Sequence, residues 1–256
     1  MNKKLLRKYL VSFLSASMLL SQGVNIVNAK EGVAVSATEA STSVLHSENM
    51  EFDGTEVVAS KNSESIQEKI SSLTVLDKGT ITIRYKLKNT DSVIESLFAL
   101  SLPTSEQSYA SVYLKPKTKK VGVEFKNLPN NKTAEFDLAV DNTNWHTISC
   151  VFTGNKIIFY SDSKIVGEAD FNGMFSDLSW KDTASKVTIG GLHRKYVSGT
   201  RTDTFLWPFS GTIDIVDVTN KVSSEDDIKK LHAVTTEDIS NDKSYIWQQN
   251  ENDIFY

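Results

Sequence analysis

The sequence predicts an all-β fold, a sandwich of two antiparallel sheets with one or two short helices. Three observations carry this. Stretches in which apolar and polar residues alternate recur from Val44 to Val218, and period-two alternation marks a strand with one buried face. Clusters of Gly, Asn, Asp and Pro punctuate them, setting off roughly ten strands at spacings of about 8–12 residues, as in sandwich folds. Apolar residues at helical spacing occur in only two short stretches.

Taken in order, "GTITIRYKL" (residues 79–87) places Ile81, Ile83, Tyr85 and Leu87 on one face. Thr80, Thr82, Arg84 and Lys86 fall on the other, which puts Arg84 toward solvent. "ESLFALSL", "YASVYLK", "KVGVEFK", "TAEFDLAV", "WHTISCVF", "KIIFYSD", "KVTIGG" and "GTIDIVDV" read as further strands. Gly154-Asn155 suits a tight hairpin between two of them. The first helical stretch, "NSESIQEKISSL" (62–73), opens on polar capping residues and carries Ile66, Ile70 and Leu73 at helical spacing. The second, "SSEDDIKKLH" (223–232), has Ser223 or Ser224 as its cap, acids in the first turn and lysines in the last, which suits the helix dipole. No internal repeat is present. The single cysteine, Cys150, alternates with Ile148 and Phe152 and reads as a small buried apolar residue, with no intramolecular disulfide to form.

The ends of the chain differ from this middle. Lys3, Lys4, Arg7 and Lys8 precede the apolar run "YLVSFLSASMLL", and "VNA" precedes Lys30. That order describes a secretory signal peptide over residues 1–29. Its apolar run is shorter than the ~20 residues a membrane span needs, so no membrane attachment is expected after its removal. A secreted product with one cysteine suits a Gram-positive bacterium. Residues 30–43 are small and polar and read as a flexible leader. The sandwich is expected over 44–232, and the polar stretch 233–256 reads as a connector.

Composition excludes several function classes. The chain has 256 residues, 39% hydrophobic and 23% charged, with a net charge of -4, so nucleic-acid binding has no electrostatic support. Its four histidines lack metal-ligand spacing, and no D-x-D-x-D-G calcium loop occurs, so neither metal nor cofactor is expected. There is no G-x-S-x-G elbow and no phosphate-binding glycine loop. Alternation does not bring Asp214 and Asp217 to one face as a paired-carboxylate site requires.

Binding remains, and two places suit it. Of the four arginines, Arg194 and Arg201 lie seven residues apart in a loop that follows Gly190-Gly191 and leads to Trp207-Pro208-Phe209. An exposed loop with solvated charges is the ordinary alternative, but a planar guanidinium beside a ring also suits a carboxylate-bearing sugar. The other place is the strand pair "YASVYLK" and "KVGVEFK", with Tyr113, Glu124 and Lys126. Gly122, Glu124 and Lys126 share the face opposite Val121, Val123 and Phe125, so a carboxylate and an ammonium project together with a glycine beside them that leaves room for a ligand. A weak surface ion pair is the alternative there.

The ordered set "GTITIRYKL", "SLFALS", "YASVYLK", "KVGVEFK", "NWHTISCVF", "KIIFYSD", "KVTIGGLHR" and "WPFSGTIDIVDVTNKVSSEDDIKKL" resembles the lectin-like domain at the N-terminus of bacterial secreted sialidases, the family 40 carbohydrate-binding module. The resemblance covers roughly residues 44–232 and rests above all on "VGVEFK" followed by "TIGGLHR" and "WPFSGTI". It implies a concanavalin/laminin-G-like jelly roll that binds terminal sialic acid. It also implies that Glu124 faces the sugar's amide or hydroxyl groups, and that Lys126 stands where the family prefers arginine. Tyr113 matches the aromatic of the preceding strand, Arg194 the arginine after the Gly-Gly turn, and Trp207 the aromatic before Pro-Phe. The intervening loop is longer than usual for the family, so Arg201 replaces or supplements Arg194; spacing does not decide between them, and the position close after the strand end favours Arg194.

Sialidases of this type continue into a catalytic propeller with an (F/Y)-R-I-P motif and S-x-D-x-G-x-T-W boxes, neither of which occurs here. The chain is therefore expected to be non-catalytic, a fragment or truncated product whose tail leads toward that domain in cis, and to direct a sialidase to sialylated host glycans. The competing expectation is a laminin-G-like adhesion domain that binds a protein or another glycan. The shared fold does not separate the two.

Overall fold

The structure is a computed structural model that describes residues 42–138, 144–182, 185–198 and 201–240, with backbone alone at 201–203 and 233–240. The expected signal peptide, most of the leader and the connector beyond residue 240 lie outside the described residues. Ser43–His232 forms one compact unit. Its strands are β1 (Ser43–Asp53), β2 (Gly79–Leu87), β3 (Glu95–Ser101), β4 (Ser108–Lys115), β5 (Lys120–Asn127), β6 (Lys132–Asp137) and β7 (His146–Phe152). They continue with β8 (Lys156–Ser161), β9 (Lys164–Asp170), β10 (Lys186–Ile189), β11 (Leu192–Ser198), β12 (Arg201–Leu206) and β13 (Ser210–Thr219).

A six-stranded antiparallel sheet, β1-β13-β2-β7-β8-β9, packs on a five-stranded one, β10-β3-β4-β5-β6, and β11 and β12 form a separate two-stranded ribbon. This is the sandwich that the alternation predicts and the jelly roll that the resemblance implies. Ile81, Ile83, Tyr85 and Leu87 of β2 and Ile148, Cys150 and Phe152 of β7 are all buried in the core. From the other sheet come Ala110, Val112 and Leu114 of β4 and Val121, Val123 and Phe125 of β5. Phe125 is the centre of an aromatic cluster, with ring centroids 5.9 Å from Phe152, 5.0 Å from Phe171 and 5.7 Å from Phe175. The core face of β5 is thereby fixed, and Gly122, Glu124 and Lys126 must point the other way.

Three expectations need correction. Arg84 is not solvent-facing; it is 5% exposed, ion-paired with Asp214 and stacked 4.7 Å from the ring centroid of Trp145. Alternation assigns Arg84 to the outer face, but β2 lies between β13 and β7, and neighbours cover it. The register slips between Ile213 and Ile215, so that Tyr85 pairs with Ile213 and Arg84 with Ile215. This bulge breaks the alternation of β13 and turns Asp214 to the same outer face as Asp217, where Asp214 is taken by Arg84 and Asp217 accepts from Ser43 at 2.7 Å. The first helix starts earlier than its apolar spacing indicates. It comprises α1 (Glu56–Ser63), a 3-10 turn (Glu64–Lys69) and α2 (Ile70–Leu73). Thr55 caps α1 by accepting from the Val58 amide at 3.4 Å.

The last helix, α3 (Glu225–Ser240), is capped by Ser224, whose hydroxyl accepts from the Asp227 amide at 3.2 Å while the Ser224 amide donates back to Asp227 at 2.9 Å. It runs eight residues beyond His232, so Lys229 and Lys230 sit in mid-helix rather than in the last turn. Ile228 anchors it on Val151 and Tyr160 of the six-stranded sheet. Among the described residues no helix is long and apolar enough to cross a membrane.

Candidate functional site

The outer face of the five-stranded sheet gathers most of the singled-out residues. The register of β4 on β5 pairs Tyr109 with Lys126, Ser111 with Glu124 and Tyr113 with Gly122. Cross-strand partners share a face, so these six positions form one patch. The Tyr109 hydroxyl donates to Glu124 Oε2 at 2.9 Å, and Lys126 Nζ lies 2.7 Å from Glu124 Oε1. Both carboxylate oxygens are thus held. Burial first, and then the Glu124 charge, raise the Tyr109 phenol above its ordinary value, with Arg194 opposing, so this proton stays on the tyrosine.

Tyr113 lies flat across the sheet. A Cβ at Gly122 would sit 2.6 Å from the Tyr113 Cζ and hydroxyl oxygen, so only glycine permits this approach. The space expected beside Glu124 for a ligand is therefore occupied by the Tyr113 ring. The Tyr113 hydroxyl donates to Glu135 Oε2 at 3.2 Å, and Glu135 also pairs with Lys115 and, at 3.4 Å, with Lys120. Burial raises the Glu135 carboxyl, but the bonds from Lys115, Tyr113 and Lys120 outweigh it and leave the group below its ordinary value.

The second place lies over this floor. Gly190, at φ +76°, turns the chain out of β10, and its carbonyl accepts from the Phe209 amide at 3.0 Å. The chain then forms a hairpin, β11 on β12, rather than an irregular loop. Arg194 is half-buried in β11 and not an exposed loop charge. Its Nη1 donates to the Glu106 carbonyl at 2.7 Å, while Nε is buried without a hydrogen-bond partner among the described residues. Its guanidinium carbon lies 4.9 Å from the Tyr109 ring centroid, 5.6 Å from that of Tyr196 and 5.7 Å from that of Trp207.

Trp207 has φ +54°, and its carbonyl accepts from the Ser96 amide of β3 at 2.8 Å. Its ring meets Tyr109 edge-on at 5.6 Å and Tyr113 at 5.8 Å. Beneath this turn Glu95, 2% exposed, accepts from the Ser92 hydroxyl and from the Ser210 amide at 3.4 Å. Burial pushes its carboxyl up to about 7, against the lowering effect of both donors.

The structure therefore brings Tyr113, Glu124, Lys126, Arg194 and Trp207 together. Arg201 starts β12 opposite Ser198, at the end of the hairpin away from Trp207, and its side chain lies outside the described residues. Tyr109 was not singled out by sequence, although it is the link between Glu124 and Arg194. It stands four residues before Tyr113 on the same strand face, and alternation alone offers both equally. The result is a linked chain, Lys126–Glu124–Tyr109–Arg194, walled by Trp207 and Tyr113. It offers a fixed guanidinium, a fixed carboxylate and aromatic surface, the groups that orient a polar ligand of mixed character. Among the described residues no His, Cys, Asp or Glu cluster suited to a metal ion is assembled.

Comparison with known families and structures agrees with the observed sandwich. The family model described as sialidase, N-terminal domain, matches residues 50–235. A structure of the Ruminococcus gnavus IT-sialidase CBM40 bound to α2,3-sialyllactose aligns at 23% identity and a TM-score of 0.57, covering 76% of this chain and 100% of that one. The leech intramolecular trans-sialidase complexed with 2,7-anhydro-Neu5Ac aligns at 17% identity and 0.56, over 75% of this chain and 28% of that one. The K499G mutant of NanB sialidase from Streptococcus pneumoniae aligns at 16% identity and 0.57, over 73% and 28%. At these identities the likeness establishes the fold. Comparison with curated proteins returns no match.

Proposed function

This chain belongs to the sialidase N-terminal domain family, and from that premise we propose that it is a non-catalytic module that binds terminal sialic acid and directs a sialidase catalytic domain in cis to sialylated glycans. The observation that carries the reading is the Lys126–Glu124–Tyr109–Arg194 chain beneath Trp207. Sialic acid has a carboxylate on one side of its ring and a neutral N-acetyl group and hydroxyls on the other. In this reading the carboxylate meets Arg194, the amide or a hydroxyl meets Glu124, and the apolar edge lies on Trp207. Glu124 beside an anionic ligand then selects orientation, since the reversed pose would set two carboxylates together. Lys126, tied to Glu124, offsets that charge and has further N–H donors for hydroxyls. Residues 1–29 act as the signal peptide of a protein secreted by a Gram-positive bacterium, 44–232 are the lectin-like sandwich, and 233–256 connect toward the catalytic domain.

The support is threefold: the family, the sialyllactose bound by the R. gnavus relatives, and the complementary pair of fixed charges on one sheet face. Calorimetric titration of the full chain with 3′-sialyllactose is expected to give a Kd of about 10 µM to 1 mM, because a single sugar on an open face desolvates few atoms. Lactose is expected to give no heat, and no free sialic acid is expected to be released above a buffer blank. Equal binding of lactose and sialyllactose, or of neither, removes the sialic-acid reading in favour of adhesion to another glycan or a protein; release of sialic acid removes the non-catalytic one.

A further inference from the structure

We propose that Tyr196 forms a second subsite, for the neutral sugar to which the terminal sialic acid is joined. This rests on the sialic-acid reading above and extends it. The chemistry of the ligand sets the direction: the carboxylate of a sialoside sits on the same carbon as its glycosidic oxygen. Whichever residue holds the carboxylate must therefore have the next sugar beside it. If that residue is Arg194, the next sugar leaves on the Arg194 side, away from Glu124. Tyr196 is there, its ring centroid 5.6 Å from the Arg194 guanidinium carbon. The other two rings on Arg194, Tyr109 and Trp207, pack against each other and the sheet, whereas Tyr196 is 39% exposed. The β11–β12 ribbon holds it there, with Tyr196 paired to Asp203 and Val197 to Thr202. A pyranose has an apolar C–H face, and an exposed aromatic ring fixed beside its neighbour is the complementary surface.

The test compares two ligands on three proteins. The full chain, Tyr196→Ala and Tyr196→Phe are titrated with methyl α-sialoside, which lacks the second sugar, and with 3′-sialyllactose. The parent is expected to prefer sialyllactose by about five- to tenfold, the usual effect of one stacked ring. Tyr196→Ala should lose that preference while binding the methyl sialoside as the parent does, and Tyr196→Phe should keep it. A parent that binds both ligands equally, or a Tyr196→Ala variant that keeps the preference, overturns the second subsite and leaves the sialic-acid reading standing. So does equal loss of both ligands in Tyr196→Ala, which makes Tyr196 a support for Arg194. A parent that binds neither ligand overturns both readings.

Discussion

Arg194→Ala is expected to abolish measurable sialoside binding. Removing one partner of a charge-assisted bond commonly costs about 2–4 kcal/mol, roughly 30- to 1,000-fold in affinity. Starting from a Kd of ~100 µM, that carries binding beyond the range of titration. The substitution is not silent for the fold, since the guanidinium stacks on Tyr109, Tyr196 and Trp207 and donates to the Glu106 carbonyl. A stability loss of about 1 kcal/mol is expected with it. Arg194→Lys separates the two effects. It keeps a charge but loses the planar fork, so it should bind more weakly than the parent and still detectably. Retention of parental affinity in Arg194→Ala would place the carboxylate elsewhere, with Arg201 the next residue to replace.

The second large effect concerns Glu95, whose side chain joins the start of β3 to the turn that carries Trp207. Its folded pKa of about 7 lies above the ordinary value of 4.5. The folded protein therefore holds a proton that the unfolded chain has released between those two values, and stability falls as pH rises through that window. The contribution is fully present below pH ~4.5 and lost above ~7, on the order of 3 kcal/mol for a shift of this size. Glu95→Gln stays neutral at every pH, can accept from the Ser210 amide and donate to the Ser92 hydroxyl. The variant is expected to match the parent near pH 4.5 and to exceed it in melting temperature at pH 8. Parallel melting curves for the two proteins across that range would show that Glu95 is ionised throughout.

Most of the strands were legible because their inner faces are largely apolar. Ile81, Ile83 and Tyr85, or Val121, Val123 and Phe125, admit one register only, since a slip of one residue would turn Thr82 or Glu124 into the apolar core instead. The β11–β12 hairpin was not legible. "HRKYVSGTRTDTF" is nearly all polar, because the ribbon gives the core little beyond Leu192 and Phe205, while Tyr196 lies on Arg194. Arg84 shows a related limit: alternation tells which face a residue takes, not whether that face is covered. Gly122 shows a third, since glycine in a strand marks a close approach but does not say by what. Here the approaching group is the Tyr113 ring rather than an open ligand space. The site residues were legible from residue type, strand face and the resemblance of short motifs, whereas the contacts that join them run through Tyr109.

The central claim is that sialic acid lies on the outer face of the five-stranded sheet with its carboxylate on Arg194. A crystal structure of the full chain soaked with 3′-sialyllactose tests it most directly. The expected result is a carboxylate within about 3 Å of an Arg194 nitrogen, the N-acetyl side toward Glu124, and the sugar edge on Trp207. A sialic acid bound on the six-stranded sheet, or bound on this face with its carboxylate turned toward Glu135 and the Lys115–Lys120 end, would contradict it.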